Sequence, residues 1–358
     1  MIFNFFYLIF QLIILLFKEL LLHWDKTSNH RTMPWKGIKD PYKIWISEII
    51  LQQTRVQQGA VYYHKLIEKY PTVFDLANAN EQELFSVWQG LGYYSRCRNL
   101  HATAKSIVAN HNGIFPNNHE VILSLKGIGD YTAAAIASFA YNLPHAVVDG
   151  NVVRVLSRIF MITENYHTTK GKKYFLELSN QLLDKKHPAK YNQAIMDFGA
   201  TVCKPQNPLC NDCPFIDICK SFELDKINDF PIKKEKIIHK KRHFHFFVIE
   251  DKQHIYITLR TEKDIWQTLH TFYMVESDTE VISFNQKEYN IKSSTVNAPQ
   301  IFKQTLSHQK IIGYFYLLSS DLFTSTFLKK LQKIRKKSIS QYAFPRIIIS
   351  FFEKNNYL

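Results

Sequence analysis

Four cysteines, Cys203, Cys210, Cys213 and Cys219, crowd into one stretch at intervals of six, two and five residues. Thiolates packed so closely cannot stay buried without a compensating cation. In a long chain with only five cysteines they point to a metal site in a reducing compartment rather than to a disulfide framework. Zinc is the generic partner of four cysteines, but the uneven intervals differ from the paired Cys-x2-Cys knuckles of most zinc sites and favour a 4Fe–4S cluster. A metal-tied loop would also present Lys204 and Lys220 rigidly. Cys97 stands apart and reads as a small, half-buried hydrophobe. The second chemical signal is Leu123-Ser-Leu-Lys-Gly-Ile-Gly-Asp-Tyr-Thr132. Gly127 and Gly129 permit a tight turn between helices and leave backbone N–H groups uncovered, which suits a phosphate grip that reads no sequence.

These residues need elements to hold them. From about Leu20 to Phe222 the pattern is helical with short turns. Tyr42 to Tyr70 carries apolar residues at helical spacing and stops at Pro71; Glu81 to Trp88, Arg98 to Ala109 and the small-residue run Ala133 to Ala140 follow. After Cys219 the character changes. Lys233, Lys234, Lys236, Lys240, Lys241 and Arg242 form a basic connector, either a solvated linker or a strap along phosphates. Beyond it, His243–Glu250, His254–Leu259, Thr271–Glu276 and Ile311–Leu318 read as strands, and Phe327–Lys337 as a basic helix. The expected fold class is mostly α, with a smaller α+β domain after it. The expected boundaries are an apolar extension over 1–19, a helical domain over 20–224, a linker over 225–242 and the second domain over 243–352.

Lys and Arg outnumber Asp and Glu by 45 to 31, a formal charge of +14. That excess favours a polyanionic partner through counterion release but does not single out nucleic acid. Residues 1–17 are almost wholly apolar, with Asn4 and Gln11 as the strongly polar exceptions. They lack the basic start and cleavage site of a signal peptide. Three readings compete: a weak anchor, a segment added by an upstream start codon, or an unusually apolar first helix.

The hairpin, the carboxylate of Val148-Asp149-Gly150-Asn151-Val152 about twenty residues later and the cysteine spacing together resemble the helix-hairpin-helix DNA glycosylases with an iron–sulfur loop. Endonuclease III-type members carry a hairpin lysine that forms a Schiff base; here that position is Tyr131, which cannot form an imine. Trp45-Ile-Ser-Glu-Ile-Ile-Leu-Gln-Gln-Thr54 resembles the catalytic helix of adenine DNA glycosylases, with Met33-Pro34-Trp35 upstream. Gly90-Leu-Gly-Tyr-Tyr-Ser-Arg96 and Asn192-Gln-Ala-Ile-Met-Asp-Phe-Gly-Ala200 are similar to the same family, so the resemblance spans about residues 30 to 222.

The resemblance implies a monofunctional base excision enzyme that cuts adenine from mispairs with 8-oxoguanine or guanine in duplex DNA. Glu48 is then the general acid, and its neighbours Ile46, Ile49 and Ile50 would desolvate it and hold it protonated near neutrality. Asp149 would stabilise the oxocarbenium-like sugar while also capping the helix that begins near Asn151. Tyr131 and Asn151 would position Asp149 and the sugar; Trp35, Leu51 and Gln193 would line the pocket for a flipped adenine. Gln53 and Tyr93 would wedge into the duplex, although Tyr93 also reads as a core aromatic. The family's C-terminal domain is Nudix-like and recognises the lesion. Arg260-Thr-Glu-Lys-Asp-Ile-Trp266 and Gln304-Thr-Leu-Ser-His308 resemble two of its segments. The second normally reads Phe-Ser-His, and Leu306 replaces the ring, leaving Ser307 and His308 to meet the lesion. There is no Glu-rich Nudix box. A pyrimidine-directed glycosylase of the same fold and a non-enzymatic DNA-binding module are the alternatives. The resemblance also implies a monomer in the cytoplasm, associated with the nucleoid and without an obligate membrane partner.

Overall fold

The computed structural model describes residues 2–233, 239–280, 298–306 and 308–358, with side chains from residue 12 onward. The chain forms two compact units: Met1–Asn78 with Arg98–Glu235, and Ala79–Cys97 with Lys236–Leu358.

The first unit is helical. Helix α1 (Ile2–Thr27) absorbs the apolar opening segment. Ile14, Phe17, Leu21 and Trp24, spaced by three or four residues, are buried in the unit's core, and Phe17 stacks on Phe215 at 4.8 Å. The described part of this segment is helical. Among the described residues no helix is long and apolar enough to cross a membrane. Helix α2 (Pro41–Leu51) begins with proline at its first turn, capped by the Asp40 carboxylate accepting from the N–H of Tyr42 and Lys43. The periodic stretch from Tyr42 to Tyr70 is not one helix. It breaks at the polar run Gln52-Gln53-Thr54-Arg55, where Gln53 takes a left-handed φ of 57°, and resumes as α3 (Val56–Lys69). Then come α4 (Val73–Ala77), α5 (Glu81–Trp88), α6 (Tyr94–His111), α7 (His119–Ser124), α8 (Asp130–Tyr141), α9 (Gly150–Phe160), α10 (Thr169–Leu182), α11 (Pro188–Thr201) and the short α12 (Lys220–Glu223). Helix α5 and the first turn of α6 belong to the second unit.

Among the described residues the second unit is built on a seven-stranded mixed sheet with the path β3-β2-β1-β6-β5. Its strands are β1 (Lys240–Glu250), β2 (His254–Leu259), β3 (His270–Thr271), β4 (Tyr273–Ser277), β5 (Gln300–Thr305), β6 (Gln309–Ser319) and β7 (Gln332–Arg335). Strand β1 is parallel to β6, and β4 and β7 pair with β1 and β2. Both faces of β1 are covered, which explains its unbroken hydrophobic run. Phe244, Phe246 and Val248 pack with α14 (Arg346–Lys354), while Phe247 and Ile249 pack with Phe323 and Phe327. The Ser86 hydroxyl donates to Ser340 O at 3.5 Å and the Tyr94 hydroxyl to Phe344 O at 3.3 Å, which joins α5 and the start of α6 to this unit.

Two expectations are corrected here. Phe327–Lys337 is not a helix: α13 (Ser325–Leu328) is four residues long, and Gln332–Arg335 pairs with β2 as a strand. An open sheet edge outweighed the helical spacing of Leu328, Leu331 and Ile334. The basic connector is also shorter than the sequence suggests, because Lys240, Lys241 and Arg242 already lie in β1. Lys234 and Lys236 lie outside the described residues.

Candidate active site

Helices α2, α8, α9 and α11 surround a cavity of about 650 Å³ lined by Trp35, Glu48, Leu51, Gln53, Tyr131, Asp149, Asn151 and Gln193, among others. Residues from five separate stretches of sequence therefore line one cavity. Glu48 is 6% exposed. Burial pushes its carboxyl up to about 7; the neighbouring Tyr131 hydroxyl, which donates to Met196 Sδ at 3.5 Å, draws it down, and nearby Asp149 adds a further upward push. The Tyr131 phenol is itself held far above its ordinary value by burial and by the two carboxylates.

Asp149 caps α9. Its Oδ1 accepts from the N–H of Asn151 and Val152, both at 2.8 Å, and its Oδ2 from Asn151 Nδ2 at 2.7 Å. Burial raises this carboxyl above the ordinary aspartate value, while those three hydrogen bonds and Arg154 oppose the rise. The two carboxylates thus face one cavity in different environments. Glu48 sits in an apolar wall and keeps its proton to near neutrality; Asp149 is held by donors.

Gly199 lets α11 approach α9 at this point. A Cβ there would lie 2.7 Å from Asn151 Cβ and 3.0 Å from its carbonyl oxygen. Gly199→Ala is expected to push Asn151 out of register and cost about 1–3 kcal/mol of stability. Thermal unfolding and single-turnover excision check this; an unchanged midpoint with wild-type excision would show that the two helices can separate freely.

The sequence reading missed one cluster. Asp197, whose side chain is wholly buried, binds Arg31 Nη1 at 2.7 Å and Lys36 Nζ at 2.8 Å. It also accepts from Gln193 Nε2 at 2.9 Å and Asn29 Nδ2 at 3.0 Å. Arg31, Lys36 and Gln193 all line the cavity, so this carboxylate fixes three of its polar walls. The only local signal was Asp197 standing four residues after Gln193, on the same helical face.

The hairpin between α7 and α8 is a left-handed turn at Gly127, φ 80°, where a Cβ would meet Asn99 Cβ at 2.6 Å. The Thr103 hydroxyl donates to Lys126 O at 2.7 Å and holds the turn to α6. Gly129 adopts an ordinary extended φ of −102° and nothing lies within 4 Å of a Cβ built on it. Glycine there keeps the N-terminus of α8 open rather than relieving strain.

The four clustered cysteines are unpaired thiols that act on one another electrostatically. Burial raises Cys210, Cys213 and Cys219 above the ordinary thiol, Cys213 to about 12. Three thiols held against their ionisation beside Cys203 fit a site completed by metal. Four cysteine sulfurs on one loop are a donor set that fits a 4Fe–4S cluster. Arginines of α9 fasten the loop: Arg154 donates to Cys203 O at 2.7 Å and to Asn151 Oδ1 at 2.8 Å, and Arg158 to Lys204 O at 2.7 Å.

Other expected site residues lie elsewhere. Tyr93 is in the second unit, 45% exposed rather than in a core. His308 is exposed at the turn joining β5 to β6, where Leu306 N–H donates to Gln309 O at 2.8 Å. Ser307 lies outside the described residues.

Residues 46–181 match the HhH-GPD superfamily base excision DNA repair protein family. An adenine DNA glycosylase from Buchnera aphidicola subsp. Baizongia pistaciae is 38% identical over 296 residues, covering 82% of this chain and 83% of its own length. The Homo sapiens adenine DNA glycosylase is 40% identical over 214 residues, covering 57% of this chain and 39% of its own. Among solved structures, a thermostable thymine-DNA glycosylase superposes with a TM-score of 0.54 at 31% identity, over 58% of this chain and 95% of that one. With Glu48 and Asp149 facing one cavity beside a helix-hairpin-helix turn, and with the Buchnera relative matched over most of its length, the chain belongs to the adenine DNA glycosylases, hydrolases of base excision repair that act on the N-glycosyl bond of adenine in DNA.

Proposed function

We propose that this enzyme excises adenine paired with 8-oxoguanine or guanine in duplex DNA, as a monomer, and leaves the abasic strand intact. The observation that carries the reading is Glu48, buried with its carboxyl pushed up by that burial, in a cavity it shares with Tyr131 and Asp149. Adenine is a poor leaving group, so its departure needs a proton on a ring nitrogen of the base. Glu48 supplies that proton and afterwards takes one from the attacking water. As the bond breaks, the sugar gains oxocarbenium character and Asp149 stabilises it, held in place by Asn151. Trp35, Leu51 and Gln193 enclose the flipped base, and Gln53, exposed on its left-handed turn, meets the bases left behind.

The absence of strand cleavage follows from chemistry at the sugar. Tyr131 offers a phenol rather than an amine at the hairpin position, so it cannot form an imine with the sugar. In an assay with adenine opposite 8-oxoguanine, adenine opposite guanine, thymine glycol and uracil duplexes, only the adenine mispairs should be cut. The product strand should break only after hot alkali, and borohydride should trap little protein on DNA. Nicking in step with excision would overturn the monofunctional reading.

Cys203, Cys210, Cys213 and Cys219 would hold a 4Fe–4S cluster, whose contribution when bound is to fix the loop that carries Lys204 and Lys220. The protein purified without air should be yellow-brown and contain about four iron and four labile sulfide per chain. Zinc in place of iron would reverse the assignment. The C-terminal domain, over about residues 243–352, is assigned the reading of the base opposite, with Ser307 and His308 at the lesion's edge and Leu306 in place of the usual aromatic ring.

A further inference from the structure

The loop between α5 and α6 concentrates unusual backbone. Gly90, Gly92 and Tyr93 have φ of 98°, 72° and 49°. Glycine tolerates this region; a tyrosine there is strained and persists only when its surroundings enforce it. Its surroundings are Trp88 and Arg96. Trp88 is fully buried and its Nε1 donates to Gly92 O at 3.1 Å. Arg96 is 8% exposed, and its Nη2 donates to Leu91 O and Gly92 O, each at 3.3 Å. The same guanidinium lies 5.3 Å from the centroid of the Trp88 ring and 5.6 Å from that of Tyr93. A largely buried cation thus ties two loop carbonyls and lies against a ring that is half in solvent.

We propose that Arg96 is a positioning residue that locks this loop and presents the Tyr93 ring as a stacking platform for a base step of the DNA. A ring displayed on a free loop would lose rotational and backbone freedom on stacking; here that ordering is already done by the fold. Lysine is a poor substitute, because one ammonium cannot lie flat against a ring while donating along two carbonyls. The inference rests on the reading that Tyr93 meets the duplex.

The test uses full-length protein carrying Glu48→Gln, so that DNA is bound without being cut, and a mispaired duplex with 2-aminopurine beside the target adenine. Unstacking at that step raises the fluorescence. Arg96→Met and Tyr93→Leu are each expected to remove most of the rise and to weaken duplex binding roughly five- to thirtyfold. Combining them should add nothing to Tyr93→Leu alone, since both remove one platform. Arg96→Lys should restore part of the signal. Full enhancement in Arg96→Met at wild-type thermal stability, or additive losses in the double variant, would overturn the proposal. If Arg96→Met does not fold, Arg96→Lys decides: an intermediate signal supports the role and a wild-type signal refutes it. An unaltered signal in Tyr93→Leu, with adenine excision intact in the enzyme retaining Glu48, defeats this inference and leaves the proposed function standing. A wild-type enzyme that cuts no adenine mispair defeats the functional reading itself.

Discussion

Glu48→Gln is expected to lower single-turnover excision by at least about a thousandfold while leaving affinity for the mispaired duplex nearly unchanged. The amide fills the same space but has no proton to transfer, and general acid catalysis is worth roughly 10²–10⁴ in rate. A residual rate above a few per cent would remove Glu48 from the role of essential acid. The pH dependence gives an independent check. With its carboxyl near 7, the acid form is present at neutrality, so wild-type excision should be level below that value and fall about tenfold per unit above it. The stability effect has a definite sign. A carboxyl raised in the folded protein contributes stability that is complete below the unfolded value of 4.5 and is lost as pH rises through about 7. The loss runs at roughly 1.4 kcal/mol per pH unit between the two. Glu48→Gln has no such dependence, so it should be the more stable protein at pH 8 and lose that advantage by pH 4. Parallel stability curves for the two proteins would show that the carboxyl is not perturbed by burial.

Asp149→Asn is expected to cost about a thousandfold in excision with the fold retained. Removing a charge aimed at a developing cation in a half-buried site has an effect of this order. The substitution also separates the two tasks of this side chain. Asparagine caps helices about as well as aspartate, so the N–H of Asn151 and Val152 keep an acceptor. Asp149→Ala removes the cap as well and should lose about 1 kcal/mol more stability by denaturant titration. Because Asp149 is one of the causes raising Glu48, its neutralisation should also move the falling limb of the residual pH profile downward. Near-equal excision by Asp149→Asn and wild type would reduce Asp149 to a helix cap.

Much of this site was legible because its residues sit in short motifs with local reasons. Asp149 before Gly150-Asn151 is a capping sequence, Gly127-Ile128-Gly129 is a helix hairpin, and the cysteine intervals fit one loop; all three depend on neighbours a few residues away. The apolar neighbours of Glu48 foretold the direction of its shift, since a side chain in an apolar stretch of helix is desolvated wherever that helix packs. The strands His243–Glu250 and His254–Leu259 were likewise visible from composition. Tertiary structure alone decided the rest. Arg31, Lys36 and Asn29 reach Asp197 across more than 160 residues, and no periodicity records which distant carboxylate a cation will meet. Gln332–Arg335 became a strand because β2 offered unpaired N–H and C=O groups, a demand that local helical spacing cannot express. Gly199 carries no meaning until α9 lies against it. The sequence by itself determined which groups could do chemistry and on which faces they stood; only packing decided which of them share a cavity, because burial and long-range pairing are properties of the assembled core.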